Sequence, residues 1–190
     1  MGMTTFFREM LRRLLPLGLG LTVACSASTD TDGTVLLTQD VEGIVGWNNV
    51  RASEQDADPI TTNPAHSGKY ALRVGPGLEY GLTFKQLLGN LTQKRPVALA
   101  LSYWCLASEE DTKATVVLAL ERPSTGKLMV HHATPLKEFV KTTGVWTLVT
   151  ERVQVPAEVE FSDQLTLYPW RGASATATYF DDLEIRALYE

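Results

Sequence analysis

Hydrophobic and polar positions alternate along most of the chain after residue 34, in short runs separated by turn-forming residues. Alternation with a period of two is typical of a β-strand that is buried on one face. Glycine, proline and serine clusters, such as those at residues 67–68 and 75–77, punctuate the runs as turns do. The pattern predicts about nine strands, at residues 35–37, 70–74, 80–84, 96–106, 114–121, 128–132, 146–155, 164–170 and 176–187.

This spacing of short strands and turns predicts an all-β, antiparallel sandwich. Helical signals are weak and amount to single turns within residues 84–91 and 135–141. Alternating strand and helix units are absent from the sequence, which argues against a parallel sheet. Both faces of the strand at 96–106 are apolar, so we expect one to meet the opposing sheet and the other to be partly covered or to face a ligand.

The first 24 residues have the layout of a secretory signal peptide. Three arginines within residues 8–13 precede an apolar run at 14–23, which is about half the ~20 residues of a membrane-spanning helix. The alternative is a short N-terminal anchor helix that stays uncleaved. Residues 21–25, Leu-Thr-Val-Ala-Cys, resemble the lipobox of bacterial lipoproteins, except that Thr22 stands where leucine is preferred. The resemblance implies that Cys25 is lipidated and becomes the mature N-terminus.

The polar segment at 26–34 lacks large apolar residues and predicts a flexible tether. We therefore divide the chain into a signal peptide at 1–24, a lipidated cysteine and tether at 25–34, and one sandwich domain at 35–190. This layout predicts an exported protein that a lipid holds on the cell envelope, at the outer membrane, on its periplasmic or surface face. Cys105 would be the remaining thiol, which rules out a disulfide framework.

Composition and charge limit the classes of partner that we expect for this protein. The net charge is −5 over 190 residues, and no basic stripe suggests nucleic-acid binding. A nucleophile elbow, a phosphate loop and a dinucleotide fingerprint are missing from the sequence. His131 and His132 are neighbours on a predicted strand and point to opposite faces, so they do not join one ligand set. We therefore expect a protein that is not an enzyme.

Four motifs in a fixed order resemble the jelly-roll domains of the galactose-binding-like superfamily, which includes many carbohydrate-binding modules. They are Asp-Val-Glu-Gly at 40–43, Gly-Trp at 46–47, Ala-His-Ser-Gly-Lys-Tyr-Ala-Leu-Arg-Val at 65–74, and Tyr-Phe-Asp-Asp-Leu-Glu-Ile at 179–185. The resemblance spans residues 40–185 and implies a jelly roll. Such domains also serve as adhesins, enzyme appendages and structural modules.

The resemblance also implies a structural calcium ion that ties the first strand to the last. Its ligands would be Glu42 and Asp182, with Asp40 and backbone carbonyls at 67–69. Calcium takes six to eight oxygen ligands, which such a junction can supply. The alternative is that the aspartates at 181–182 cap turns or pair with nearby basic side chains.

Exposed aromatic rings would carry sugar binding, because a flat ring covers the apolar face of a pyranose. Tyr168 and Trp170 share a face by alternation, opposite Leu165 and Leu167. The alternative is that the rings are core residues, as we expect for Trp47 and Trp146. The candidate ligand-binding residues are Trp104, Tyr168, Trp170, Arg171, Tyr80 and His132.

The first expectation is therefore a non-catalytic envelope lipoprotein whose jelly roll binds glycan. The second is a structural or protein-interaction module of a cell-envelope assembly, with an envelope protein as partner. A small glycan-active enzyme is a distant third, since a glycosidase needs two carboxylates facing each other, and sheet-face carboxylates are scarce beyond Glu121 and Glu151.

Overall fold

A computed structural model describes residues 33–48 and 57–189. Two antiparallel sheets pack face to face, which confirms the predicted β-sandwich. The elements in chain order are β1 (Thr34–Gln39), β2 (Trp47–Asn48), β3 (Ile60–Thr61), β4 (Ala71–Val74), β5 (Thr83–Leu87), α1 (Leu88–Leu91), β6 (Ala98–Ala107), β7 (Thr115–Arg122), β8 (Lys127–Pro135), a 3₁₀ turn (Leu136–Glu138), β9 (Thr147–Gln154), β10 (Gln164–Trp170) and β11 (Thr178–Leu188).

One sheet has six strands in the order β3-β4-β11-β6-β9, with β1 also paired to β11. The other has five, in the order β2-β5-β10-β7-β8. All nine predicted strands are present, and the two-residue strands β2 and β3 are additional. The fifth strand begins at Thr83, later than the expected residue 80, and Tyr80 instead forms an isolated bridge with Trp170.

The last strand carries a β-bulge that lets two strands share one of its edges. β4 pairs with residues 178–180 of β11, and β1 pairs with residues 183–187. Between them the register towards β6 shifts from Asp181 to Glu184, and Asp182 has φ of 48°. A bulge re-aims the side chains it carries, and here it turns both aspartates towards the loop before β4.

The core lies between the sheets and is built from the alternating inner positions. β6 contributes Leu99, Leu101, Tyr103 and Cys105, all fully buried. Burying one such large apolar side chain stabilises a fold by about 1.5–3 kcal/mol. Burial also raises the pKa of Cys105 to about 12, so this thiol stays protonated.

A polar contact joins the two sheets at one open side of the sandwich. β8 and β9 are edge strands of different sheets, and Glu151 on β9 accepts hydrogen bonds from His132 and Thr134 on β8. Thr134 is fully buried. A hydrogen-bonded carboxylate thus links the two sheets at this side of the sandwich.

Residues 1–32 lie outside the described residues, so the signal peptide, the lipidated Cys25 and the start of the domain at residue 35 stay predictions. β1 begins at Thr34, one residue before the expected domain start. No described helix has the length and apolarity needed to cross a bilayer.

Candidate functional site

The outer face of the five-stranded sheet carries a pocket of about 300 Å³. We call it the outer-face pocket. Its walls come from β5, β7, β8 and β10 together with the segment before β5. The lining residues are Tyr80, Gly81, Thr83, Lys85, Ala119, Glu121, Leu128, His131, Thr166 and Tyr168.

Strand register explains why these side chains meet. Thr166 on β10 is paired with Lys85 on β5 and with Ala119 on β7, and Ala119 is paired with His131 on β8. Residues directly opposite each other in antiparallel strands share a face. The four therefore form one row across the sheet, in which two small residues make the floor and two long polar side chains stand at the sides.

Three aromatic rings gather at one end of the pocket. Tyr80 lies 6.0 Å from Tyr168 and 6.4 Å from Trp170, measured between ring centroids, and its ring is within 11° of parallel to that of Trp170. Tyr168 and Trp170 alternate with the buried Leu165 and Leu167 on β10. Trp170 is 36% exposed. Tyr80 and Tyr168 thus line the pocket, and Trp170 lies beside them with part of its surface open to solvent.

Glu79 orients the polar groups beside these three aromatic rings. Trp170 Nε1 donates to Glu79 Oε1 at 2.6 Å, and Arg171 Nε and Nη2 donate to Glu79 Oε2 at 2.8 and 2.6 Å. Burial acts to raise the pKa of Glu79, but the hydrogen bonds from Arg171 and Trp170 outweigh it and the pKa lies below its usual value. One ionised carboxylate therefore orients both the indole and the guanidinium.

The predicted ligand-binding residues separate into two groups. Tyr80, Tyr168, Trp170 and Arg171 come together at the outer face of the five-stranded sheet. His132 points between the sheets to Glu151, and the neighbouring His131 lines the pocket instead. The structure thus does not bring His132 to the aromatic group.

Trp104 lies on the other sheet, on its outer face. The ring of His66 stacks on it at 4.0 Å between centroids and 16° between planes. Trp146 meets His66 edge-on at 5.5 Å, so it lies half-buried outside the sheet, and its expected place in the core is wrong. Val145 and Leu148 nearby are 51% and 49% exposed. Trp47, in contrast, is buried against Phe84 as expected.

Two of the predicted calcium ligands lie in the turn after β1. Glu42 Oε1 accepts hydrogen bonds from the backbone N–H groups of Lys69 and Tyr70 at 2.5 and 2.8 Å. Asp40 Oδ1 accepts from the backbone N–H of Glu42 at 3.1 Å. These carboxylate oxygens face N–H donors rather than other acceptors.

The third predicted ligand, Asp182, lies in the β11 bulge. Its Oδ1 accepts from Ser67 Oγ at 2.6 Å, and its Oδ2 lies 2.7 Å from His66 Nδ1. The adjacent Asp181 is fully buried and its Oδ2 accepts from the backbone N–H groups of His66 and Ser67 at 2.8 and 3.1 Å. Burial nevertheless raises the pKa of Asp181.

These contacts test whether the residues fit a calcium ion. Within the ranges 33–48 and 57–189, no three His, Cys, Asp or Glu side chains converge as a metal site requires. Calcium needs a cage of oxygen acceptors around one point. The described carboxylates instead tie the loop at 63–70 to β11 and to the turn after β1 through N–H and O–H donors. Calcium stays a prediction that this donor set does not favour.

Sequence reasoning missed several residues of the site. Lys85 and Thr166 were reachable only through strand pairing, because alternation says which face they share but not which neighbours they meet. Glu121 was recognised as a sheet-face carboxylate but was not assigned to a binding site. Glu79 precedes a strand and gave no periodic signal. The isolated bridge between Tyr80 and Trp170 brings Glu-Tyr at 79–80 beside Trp-Arg at 170–171. The sequence alone does not reveal this bridge.

Solved structures that are similar to this one include xylan-binding domains. The CBM22-1 xylan-binding domain from Paenibacillus barcinonensis Xyn10C is 18% identical, with a TM-score of 0.54 over 83% of this chain and 97% of that one. The CBM22-2 xylan-binding domain of the same Xyn10C is 19% identical, with a TM-score of 0.52 over 80% of this chain and 99% of that one.

A third structure, the CBM22-1–GH10 modules of the Clostridium thermocellum xylanase Xyn10B complexed with xylohexaose, is 14% identical, with a TM-score of 0.53 over 82% of this chain and 29% of that one. No protein-family model and no curated protein matches the sequence. The likeness confirms the expected jelly-roll β-sandwich of the carbohydrate-binding-module type as a fold.

Proposed function

We propose that the outer face of the five-stranded sheet binds a carbohydrate chain. The observation that carries the proposal is the grouping of Tyr80, Tyr168 and Trp170 beside a pocket lined by polar side chains. An aromatic ring covers the apolar C–H face of a pyranose, while side-chain donors and acceptors fix its hydroxyl groups. Both kinds of group stand together on this face.

The structural neighbours support the choice of first ligands. Two of them are named as xylan-binding domains, and a third was solved with xylohexaose. Their sequences are 14–19% identical to this chain, so the shared fold suggests where to look and which sugars to try. Xylo-oligosaccharides are therefore the first candidates for this pocket.

We propose that the pocket binds glycan without cleaving it. Glycoside hydrolysis uses a pair of carboxyl groups about 5–9.5 Å apart on either side of the scissile bond. Among the described residues that line the pocket, Glu121 supplies the one carboxylate, and Glu79 beyond it is engaged by Trp170 and Arg171. Incubation of the chain with xylohexaose should leave the oligosaccharide intact by mass spectrometry.

We propose that Cys25 carries the lipid that holds this module on the cell envelope. The lipobox-like segment at 21–25 and the polar tether at 26–34 support this layout. Labelling with radioactive palmitate in an expressing bacterium should mark the wild-type chain. The Cys25→Ser variant should stay unlabelled, and equal labelling of both would contradict the lipid anchor.

The test of sugar binding is isothermal titration calorimetry with xylohexaose on three chains: wild type, Trp170→Ala and Trp104→Ala. Both variants remove a tryptophan from an outer sheet face, so they form a matched pair. We expect Trp170→Ala to lose at least about tenfold in affinity and Trp104→Ala to bind as wild type, provided that circular dichroism shows both folded. Loss on Trp104→Ala alone would move the site to the other sheet.

A second candidate function rests on the outer face of the six-stranded sheet. Val145 and Leu148 are half exposed there beside Trp104 and Trp146. Apolar side chains grouped on a surface favour a protein partner in an envelope assembly. Chemical crosslinking in intact cells would capture such a partner in wild type and lose it in a Val145→Ser/Leu148→Ser variant.

A further inference from the structure

Three ionisable side chains in the outer-face pocket have no side-chain partner within the part of the chain that the structure describes. Lys85, Glu121 and His131 are all exposed, and none of them forms a hydrogen bond or ion pair with another residue of the described ranges. Glu79, also on this face, is in contrast paired with Arg171. Groups left unpaired within a pocket are available to a ligand.

The two nitrogen-bearing side chains share one row across the sheet, and the carboxylate stands in the next row on the same face. Lys85 and His131 occupy the two ends of one row, separated by Thr166 and Ala119. Glu121 belongs to the next row, paired with Gln164. Strands lie about 4.8 Å apart, so the Lys85 and His131 backbones are about 14 Å apart across three spacings.

The floor between them is low, because Thr166 and Ala119 are small and nearly buried. An acidic group of a sugar that lies over this floor has an ammonium group on one side and an imidazole N–H on the other. Lysine has only donors, and a histidine ring donates through its N–H in either neutral tautomer. Both therefore seek an acceptor from the ligand, and an anionic oxygen is the strongest one.

We propose that the outer-face pocket selects an acidic glycan, whose carboxylate or sulfate group is held by Lys85 and His131. Glu121, one row away, accepts hydrogen bonds from sugar hydroxyl groups and repels an anion bound at that end of the pocket. The acidic group is therefore received over the row of Thr166 and Ala119. The proposal rests on the proposed function and adds the class of sugar to it.

The test is calorimetric titration of the full chain, purified in detergent, with matched oligosaccharides. One pair is a xylo-oligosaccharide with and without a glucuronate branch, and the other is a galactan oligosaccharide with and without sulfate. We expect the acidic member of one pair to bind about tenfold tighter than its neutral counterpart, the contribution of one charge-assisted hydrogen bond. The pair that shows the preference identifies the anion as carboxylate or sulfate.

Two variants test whether Lys85 and His131 cause the preference for the acidic oligosaccharide. Lys85→Met and His131→Gln should each reduce the acidic-to-neutral affinity ratio at least about threefold, whatever either change does to the affinity for the neutral oligosaccharide. Lys137→Met is the matched control, because Lys137 is an exposed lysine in the 3₁₀ turn and does not line the pocket. Raising the salt concentration should shrink the preference in wild type.

The outcomes distinguish a failure of acidic selection from a failure of sugar binding. Equal binding of acidic and neutral oligosaccharides, both lost on Trp170→Ala, keeps sugar binding and overturns acidic selection. A preference that survives Lys85→Met and His131→Gln also overturns it, since the anion is then held elsewhere. Failure of wild type to bind any of the four oligosaccharides overturns both proposals together.

Discussion

Replacing Glu79 by alanine tests how the aromatic group is held ready for a sugar. The change removes the acceptor of the Trp170 indole N–H and of two Arg171 nitrogens. It removes no ring from the face, so any loss of sugar affinity comes from loss of orientation. Glu79 therefore acts as a positioning residue in this account.

The expected size follows from the two side chains released. Ordering one side chain on binding costs about 0.5–1.5 kcal/mol, so two cost about 1–3 kcal/mol, or about 5- to 150-fold in affinity. We expect Trp170 to keep its stacking on Tyr80 in the variant, because that ring contact does not involve Glu79. We therefore expect the lower end, a loss of about five- to tenfold.

Calorimetry with xylohexaose measures this loss, and a double-mutant cycle with Trp170→Ala assigns it. Glu79→Gln, which keeps an acceptor for the indole but loses the ion pair, should fall between wild type and Glu79→Ala. Glu79→Ala should cost less in the Trp170→Ala background, because part of its effect acts through that ring. Wild-type affinity in a folded Glu79→Ala chain would refute the positioning argument.

Three further predictions concern stability and reactivity. Asp163 is fully buried and ion-paired with the partly exposed Arg122, so Asp163→Ala should lower the free energy of unfolding by about 2–3 kcal/mol. Hydrogen bonding by Arg122 lowers the pKa of Asp163, so the stabilisation by this ion pair is complete above the usual carboxyl pKa. The difference in stability between variant and wild type, measured by urea titration, should therefore narrow as pH falls below about 4. Cys105, with its pKa near 12, should resist iodoacetamide at pH 8 in the native chain and react after unfolding. Peptide mass spectrometry would follow the labelling, and labelling of the native chain at the rate of the unfolded chain would contradict the burial of Cys105. EDTA should leave the melting temperature unchanged, because Glu42 and Asp182 already face hydrogen-bond donors, whereas a calcium-dependent rise would show that an ion displaces those donors.

The sequence predicted the architecture well because strand alternation is a local property. Each of the nine expected strands exists, and the placement of Tyr168 and Trp170 on one face of their strand follows from the period of two alone. The strands at residues 47–48 and 60–61 escaped prediction because two residues carry no periodicity. They exist because a neighbouring strand supplies their hydrogen bonds.

The site was harder to predict because it depends on which strands are neighbours. Trp104 and Trp170 both sit at outward positions, but their strands belong to different sheets, and alternation does not reveal the sheet. His131 and His132 point oppositely, as expected. β8 is an edge strand with a register shift against β7, so its own pattern does not tell which of the two faces outward.

The central claim is that sugar binds on the five-stranded sheet, and the four tryptophans report on it directly. Each indole N–H gives one peak in a proton–nitrogen NMR spectrum, and single substitutions assign the peaks. During titration with xylo-oligosaccharides, with and without a glucuronate branch, we expect the Trp170 peak to move in proportion to saturation while the Trp104 and Trp146 peaks stay in place. Movement of Trp104 or Trp146 with a stationary Trp170 would contradict the account and place the ligand on the opposite sheet.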